Sequence, residues 1–194
     1  LKNKKEKINF CLVGEPTNPN RLGEMIKIGR RGSLTGKLTI NGVQGHVAYP
    51  HRAKNPSTII VNVLKELKDI KFDKGTKDFQ PTNLEVTRIN INNNADNVIP
   101  GSAEATFNIR FNNIHSSNSI KKRLNKIFRK ISKKNKSNYK IEYRVSGEAF
   151  LTKPNKNTFM IQNTIKKITK IKPKLSTTGG TSDARFIRKI APCL

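Results

Sequence analysis

Residues 102–111 read SAEATFNIRF, a stretch in which polar and apolar side chains alternate from end to end. Successive side chains of a β-strand point to opposite faces, so this pattern predicts a strand with one buried and one polar face. The buried face is predicted to carry Ala103, Ala105, Phe107, Ile109 and Phe111. Arg110 falls on the polar face, either as an ordinary exposed residue or as a guanidinium that binds a carboxylate through two hydrogen bonds.

The segments around this strand extend the pattern to six elements. Alternation also favours strands in SLTGKLTI (33–40), TNLEVTRINI (82–91) and YKIEYRV (139–145). Apolar residues at helical spacing follow the N-cap candidate Asn55 and recur from 120 to 131. The order over residues 33 to 146 is therefore β-α-β-β-α-β, which predicts a ferredoxin-like α+β domain with two helices on one face of an antiparallel sheet.

The flanking residues follow a different pattern, typical of an α/β domain. INFCLV (8–13) favours a buried parallel strand, residues 156–170 a helix, and STTGGTSD (176–183) a glycine-rich turn before a further helix from Ser182. We therefore predict that one domain, residues 33–147, interrupts another formed by 1–32 and 148–194. Because the chain begins at Leu1 and stops at APCL, we expect it to be a piece of a longer protein.

The formal net charge of +26 is the most unusual feature of the composition. Lysines are spread over nearly every segment, there is no Trp, and aromatic residues make up 6%, so we expect a biased composition rather than a specific nucleic-acid site. A basic nucleic-acid-binding module or a stand-alone dimerisation module remains the alternative of another class. No apolar run reaches membrane-spanning length, and we expect a cytoplasmic protein without a membrane partner.

A few polar residues occupy positions where ligands commonly bind. Glu15 comes directly after the predicted parallel strand, the position at which open α/β sheets bind ligands and metals. The alternative is that Glu15 is only a turn residue. His46 lies in the loop GVQGHVAYPH (42–51), either free for chemistry or merely exposed. The turn TTGGTSD offers successive backbone N–H groups that suit an anion, without the spacing of a nucleotide-binding motif.

Seven motifs, in order and spacing, resemble the M20 metallopeptidase family over essentially the whole chain. They are GEPT (14–17), GRRGS (29–33), GVQGHVAYPH (42–51), NVIPG (97–101), FNIRF (107–111), SGEAFLT (146–152) and TTGGTSDARFI (177–187). The resemblance implies a catalytic domain with two zinc ions per subunit, cobalt being possible, and only part of that domain in this chain. It also implies that the inserted domain is a lid through which two subunits form a homodimer.

The resemblance also implies roles for individual residues. Glu15 corresponds to the carboxylate ligand of one zinc ion. His46 corresponds to a catalytic lid histidine that reaches the neighbouring subunit's site and stabilises the oxyanion of the scissile amide. The positions that correspond to substrate-binding residues are Arg30, Ser33, Tyr49, Asn97, Arg110, Gly180 and Thr181. The resemblance implies no role for His51.

The implied activity is metal-assisted removal of succinate from N-succinyl-LL-2,6-diaminopimelate, a step of diaminopimelate and lysine biosynthesis. Deacetylation of acetylornithine or an aminoacylase-type hydrolysis is the alternative within the family. The family's H-x-D motif, bridging Asp, Glu-Glu pair and final histidine ligand have no counterpart in this chain, so we expect the chain by itself to be inactive. Ala184 stands where the family usually has Gly.

Overall fold

The computed structural model describes residues 7–180 and 182–194. Strands and helices are both present along the described chain. The strands are β1 (Met25–Lys27), β2 (Gly29–Arg30), β3 (Gly32–Asn41), β4 (Gly45–His46), β5 (Asn83–Asn90), β6 (Val98–Ile99), β7 (Ser102–Phe111), β8 (Asn138–Gly147), β9 (Phe150–Leu151) and β10 (Lys174–Ser176). The α-helices are α1 (Pro56–Lys68), α2 (Ser117–Asn135), α3 (Lys156–Thr169) and α4 (Ala184–Ile187).

Four of these strands form an antiparallel sheet in the order β5-β7-β3-β8, against which α1 and α2 pack. The register places Leu38 opposite Ala105 of β7 and Ile141 of β8. The sequence order β3-α1-β5-β7-α2-β8 is the predicted β-α-β-β-α-β pattern. The predicted fold class is therefore confirmed. The division into domains at residues 32 and 147 stays a prediction.

The alternating strand pattern produces the core between the sheet and its two helices. Leu34, Leu38, Phe107 and Ile109 are buried on the sheet face that the helices cover, and Phe128 of α2 packs against them. The opposite face of the same strands carries polar side chains. Burying one apolar face is what stabilises this domain, because the hydrophobic contribution scales with the apolar area removed from water.

Side-chain caps fix where the helices begin. The Asn55 side chain accepts a hydrogen bond from the Ser57 backbone N–H before α1, as the N-cap prediction required. Ser116 and Ser119 form a capping box at the start of α2. Both α2 and α3 end at a lysine in the left-handed conformation, Lys136 and Lys170, with φ of 47° and 61°.

A buried carboxylate anchors the segment between α1 and β5. Asp73 Oδ1 accepts from the Gly75 N–H at 2.6 Å and from Asn112 Nδ2 at 2.7 Å, and its Oδ2 lies 3.0 Å from Nε2 of His115. Burial raises the pKa of the Asp73 carboxyl, but hydrogen bonds from Thr82, Gly75 and Asn112 outweigh burial and hold the pKa below its usual range.

The remaining residues form two small ladders beside this domain. β1 pairs in parallel with β10, and β2 pairs antiparallel with β9. The INFCLV segment forms a single parallel bridge, between Cys11 and Cys193, and the Val13 N–H donates to the Leu194 carbonyl at 2.8 Å. It is not a regular strand and Leu12 is 62% exposed, so the prediction of a buried strand was wrong. The segment is covered on one side by residues 192–194 and lies open on the other.

The final predicted helix is also shorter than its apolar pattern indicated. It covers one turn, Ala184–Ile187, and Phe186 remains 55% exposed. Within the part of the chain that the structure describes, no helix is both long and apolar enough to cross a membrane.

Candidate active site

Glu15 and Arg30 meet where the small ladders join the four-stranded sheet. Arg30 is 7% exposed, and its Nη2 lies 3.4 Å from Glu15 Oε2 while its Nη1 donates to the Thr178 carbonyl at 3.0 Å. Burial lowers the pKa of Arg30, and the Glu15 carboxylate opposes that effect. The pair therefore places a buried cation and a half-buried carboxylate beside the glycine-rich loop.

That loop, residues 176–180, wraps closely around the Arg30 guanidinium. Gly179 has φ of +100°, and a Cβ at this position would lie 2.7 Å from Arg30 Nη1. Gly180 follows with open space around it. The Thr177 hydroxyl donates to the Asp78 carbonyl, which ties the loop to the segment anchored by Asp73. Thr181, also predicted to bind substrate, lies outside the described residues.

Ser33 and Arg110 lie opposite each other at one end of the β3–β7 ladder. Asn108 Nδ2 donates to Ser33 Oγ at 3.3 Å, so the Ser33 hydroxyl is held on the polar face of the sheet. Burial and then the charge of Arg110 lower the pKa of the neighbouring Arg31. Arg30, Arg31 and Arg110 thus bring three guanidinium groups to this end of the sheet, a setting that suits carboxylates.

The His46 loop lies at the other end of the sheet. β4 pairs with β6, with His46 opposite Val98, and the Val47 N–H donates to the Asn97 carbonyl at 3.0 Å. Nδ1 of His46 accepts a hydrogen bond from the Ala48 backbone N–H at 3.1 Å. The Tyr49 ring lies 5.9 Å from the imidazole, centroid to centroid. His46, Tyr49 and Asn97, three predicted site residues, are therefore neighbours and all exposed.

The two groups of predicted site residues are well separated along the sheet. At one end of the β3–β7 ladder Ser33 lies opposite Arg110, and at the other end Asn41 lies opposite Ser102. Eight residues of extended strand span roughly 27 Å at about 3.4 Å per residue. The His46 loop continues from Asn41, where the Gly42 N–H donates to the Gly101 carbonyl. Within one chain, His46 and Arg110 therefore approach the sheet from opposite ends.

Glu15 does not complete a metal site with its neighbours in this chain. Among residues 7–180 and 182–194, no three His, Cys, Asp or Glu side chains converge in a way that could hold a metal ion. Catalytic zinc usually has three protein ligands. The residues described here therefore do not fit a complete metal centre, and the nearest charged partner of Glu15 is Arg30.

A cavity of about 520 Å³ opens beside the Glu15–Arg30 pair. Its walls combine these two residues and Lys27 with apolar side chains such as Met160, Ile161 and Ile165. Lys27 was not among the predicted site residues. Its contacts span about 150 positions of sequence, so no local motif could have indicated them.

Comparisons with known proteins agree with the fold and with the motifs. The peptidase dimerisation domain, M20_dimer, matches residues 28–136. The chain is 81% identical over 194 residues to succinyl-diaminopimelate desuccinylase of Pelagibacter ubique, covering all of this chain and 50% of that protein. It is 51% identical over 187 residues to the desuccinylase of Parvibaculum lavamentivorans, covering 96% of this chain and 47% of that one. The chain thus spans about half the length of the curated relatives it matches.

Solved structures share the fold at much lower sequence identity. A tripeptidase from Staphylococcus aureus superposes with a TM-score of 0.81 at 15% identity, covering 100% of this chain and 49% of that one. The aminopeptidase PepT from Bacillus cereus superposes with a TM-score of 0.73 at 16% identity, covering 96% and 48%. At this identity the likeness concerns the fold alone.

Proposed function

The chain belongs to the M20 peptidase dimerisation family, and from that premise we propose that it is part of a succinyl-diaminopimelate desuccinylase, which removes succinate from N-succinyl-LL-2,6-diaminopimelate. The observation that carries this proposal is the 81% identity to one such enzyme along the whole chain. In this proposal residues 33–147 form the lid, and residues 1–32 and 148–194 belong to the catalytic domain of a longer enzyme.

The cluster of guanidinium groups is the proposed site for the substrate's carboxylates. Arg110 lies opposite Ser33 on β7, and Arg30 precedes Ser33 by three residues. A guanidinium group can bind a carboxylate through two hydrogen bonds. The backbone of Gly180 and the neighbouring Thr181 would bind further polar groups of the substrate. A substrate with several carboxylates matches this surplus of positive charge better than a neutral peptide does.

His46 is the proposed catalytic residue of this chain, and its tautomer suits the role. Because Nδ1 accepts the Ala48 N–H, the proton of the neutral ring is on Nε2. An exposed Nε2–H can donate to the oxyanion that develops on the amide carbonyl. Tyr49 lies in the same loop and Asn97 lies beside it, where both would contact the substrate.

We propose that His46 serves the site of a second subunit. Within one chain the His46 loop and the Ser33–Arg110 pair are at opposite ends of the β3–β7 ladder, roughly 27 Å apart at about 3.4 Å per residue. One small substrate cannot span that separation. A homodimer in which the His46 loop of one subunit lies over the arginine cluster of the other resolves the difficulty.

The free edge at β5 is the proposed dimer contact. Ile89 on this strand is 56% exposed, and Val61 on the adjacent α1 is 62% exposed. The other edge, β8, carries a charged pair, Lys140 and Glu142, 2.6 Å apart. Charged side chains protect an edge against pairing, whereas exposed apolar side chains favour it. β5 also carries Glu85 and Arg88, so the apolar contact is assigned to Ile89. A two-fold axis beside β5 would join two four-stranded sheets into one.

The metal requirement of the enzyme is likewise a proposal. Glu15 would supply one ligand, and the other ligands of a two-zinc centre would come from parts of the enzyme beyond this chain. When bound, the metal ions would supply a water of lowered pKa as nucleophile. Since this chain completes no such centre, we expect the 194-residue chain to have no turnover of its own.

The test is an assay of the full-length enzyme that contains this chain. Purified enzyme is incubated with N-succinyl-LL-2,6-diaminopimelate, N-acetylornithine and an N-acyl amino acid, before and after treatment with a chelator. We expect turnover of the first substrate, lost on chelation and restored by zinc. If the enzyme turned over acetylornithine faster, acetylornithine would take the place of the proposed substrate. Turnover by the 194-residue chain alone would contradict the argument that the other metal ligands lie beyond this chain.

A further inference from the structure

Lys27 lies at the end of β1, directly opposite Ser176 at the end of β10. Its Nζ donates to Thr178 Oγ1 at 2.7 Å and to Ser176 Oγ at 3.4 Å. These two hydroxyl groups are 2.9 Å apart and share a hydrogen bond of their own. Lys27 is therefore attached to the 176–180 loop at the point where the loop leaves the sheet.

Arg30 binds the same loop residue from the other side. Its Nη1 donates to the Thr178 carbonyl at 3.0 Å, so Thr178 is held through its side chain by Lys27 and through its backbone by Arg30. Burial lowers the pKa of Lys27, and the nearby Arg30 lowers it further. Among residues 7–180 and 182–194, Lys27 forms no ion pair that would compensate for this cost.

The ammonium group of Lys27 contacts three side chains of this chain. A lysine ammonium has three N–H donors. Besides Ser176 and Thr178, Nζ contacts Met25 Sδ at 2.7 Å. These contacts of Lys27 thus go to side chains of this chain, although Lys27 lines the same cavity as Arg30.

We propose that Lys27 is a positioning residue that acts through Thr178 to hold the 176–180 loop in its substrate-binding conformation. The proposal rests on the proposed function, in which Gly180 and its neighbour contact the substrate. A loop that is already ordered loses less conformational entropy when the substrate binds. Lys27 therefore contributes to the affinity for substrate rather than to the chemical step.

The first test compares two lysine variants of the full-length enzyme. Lys27→Met keeps the length of the side chain and removes its donors. We expect KM to rise about tenfold, the effect of losing a charged hydrogen bond, with kcat within about threefold of the parent. Lys174→Met is the matched control, because Lys174 lies on β10 and is exposed. An unchanged KM in Lys27→Met would overturn the proposal.

A second variant tests whether the effect passes through Thr178. Thr178→Val removes the hydroxyl and keeps the shape of the side chain. If Lys27 acts through that hydroxyl, adding Lys27→Met to Thr178→Val changes KM by less than about threefold. Fold-changes that multiply in the double variant would overturn the proposed route.

Hydrogen exchange of the full-length protein gives a measurement that needs no activity. We expect the amides of residues 176–180 to exchange faster in Lys27→Met and in Thr178→Val, and at the parent rate in Lys174→Met. If the full-length enzyme lacks desuccinylase activity but exchange responds as expected, the proposed function fails and the positioning role survives. Unchanged exchange in a folded Lys27→Met or Thr178→Val chain overturns the positioning role, whatever the substrate.

Discussion

Nδ1 of His46 accepts the backbone N–H of Ala48 at 3.1 Å, so the structure leaves Nε2 as the ring's free donor. In the proposed mechanism, replacing His46 by Ala removes a donor to the oxyanion. We expect kcat of the full-length enzyme to fall by about 10²–10³-fold with little change in KM. Steady-state kinetics check this, and His51→Ala, which alters the neighbouring imidazole, should retain parental kcat. A loss confined to KM would identify His46 as a binding residue instead.

The separation of His46 from Arg110 predicts complementation between subunits. In a dimer of one His46→Ala and one Arg110→Ala subunit, one of the two sites retains both side chains. Co-refolding the two inactive variants at equal amounts should restore about a quarter of the parental activity, because about half of the dimers are mixed. No recovery in demonstrably mixed dimers would mean that each site is built from one chain.

The exposed β5 edge predicts which substitution produces monomers. Ile89→Lys places a charge in the proposed apolar contact and should shift the chain from dimer to monomer in sedimentation equilibrium. Asn138→Lys introduces the same side chain at the start of the opposite edge strand, β8, and should leave the dimer intact. Dissociation by Asn138→Lys alone would assign the contact to β8.

The two glycines of the 176–180 loop should respond differently to a methyl group. Gly179→Ala forces a side chain into φ of +100° and against Arg30, so we expect a loss of about 1–2 kcal/mol in the free energy of unfolding. Gly180→Ala meets nothing within 4 Å and should unfold at the parental temperature. Thermal melts of both variants check the difference, and equal melting temperatures would contradict the loop geometry.

Asp73 predicts a specific loss of stability in acid. Its folded-state pKa lies below the unfolded value, so its stabilisation is present above about pH 4 and is lost as the pH falls through the folded pKa. Asp73→Asn should cost about 2 kcal/mol at neutral pH, and its deficit relative to the parent should shrink towards pH 3. Urea unfolding at several pH values measures this, with the exposed Asp69→Asn as control. A deficit that is constant with pH would exclude a role for the charge.

Local patterns predicted the four-stranded sheet and its two helices well, because the signals for these elements lie in short stretches of sequence. The alternation of SAEATFNIRF matches β7 residue for residue, and Asn55 with Pro56 marks the start of α1. The INFCLV segment was misjudged because its burial depends on which residues cover each side, and that depends on packing rather than on its own apolar composition. The grouping of His46 with Asn97, and of Arg30 with Thr178, likewise depends on contacts between segments 50 to 150 residues apart.

The helix ends at Lys136 and Lys170 place a positive charge in a strained backbone conformation. Glycine is the usual residue in a left-handed helix terminus, because any Cβ there is strained by about 1 kcal/mol. Lysine nonetheless occupies both positions, with φ of 47° and 61°. Each lysine places a positive charge at the C-terminal end of its helix, where the helix dipole is negative. The two helix ends therefore combine a favourable electrostatic interaction with an unfavourable backbone conformation.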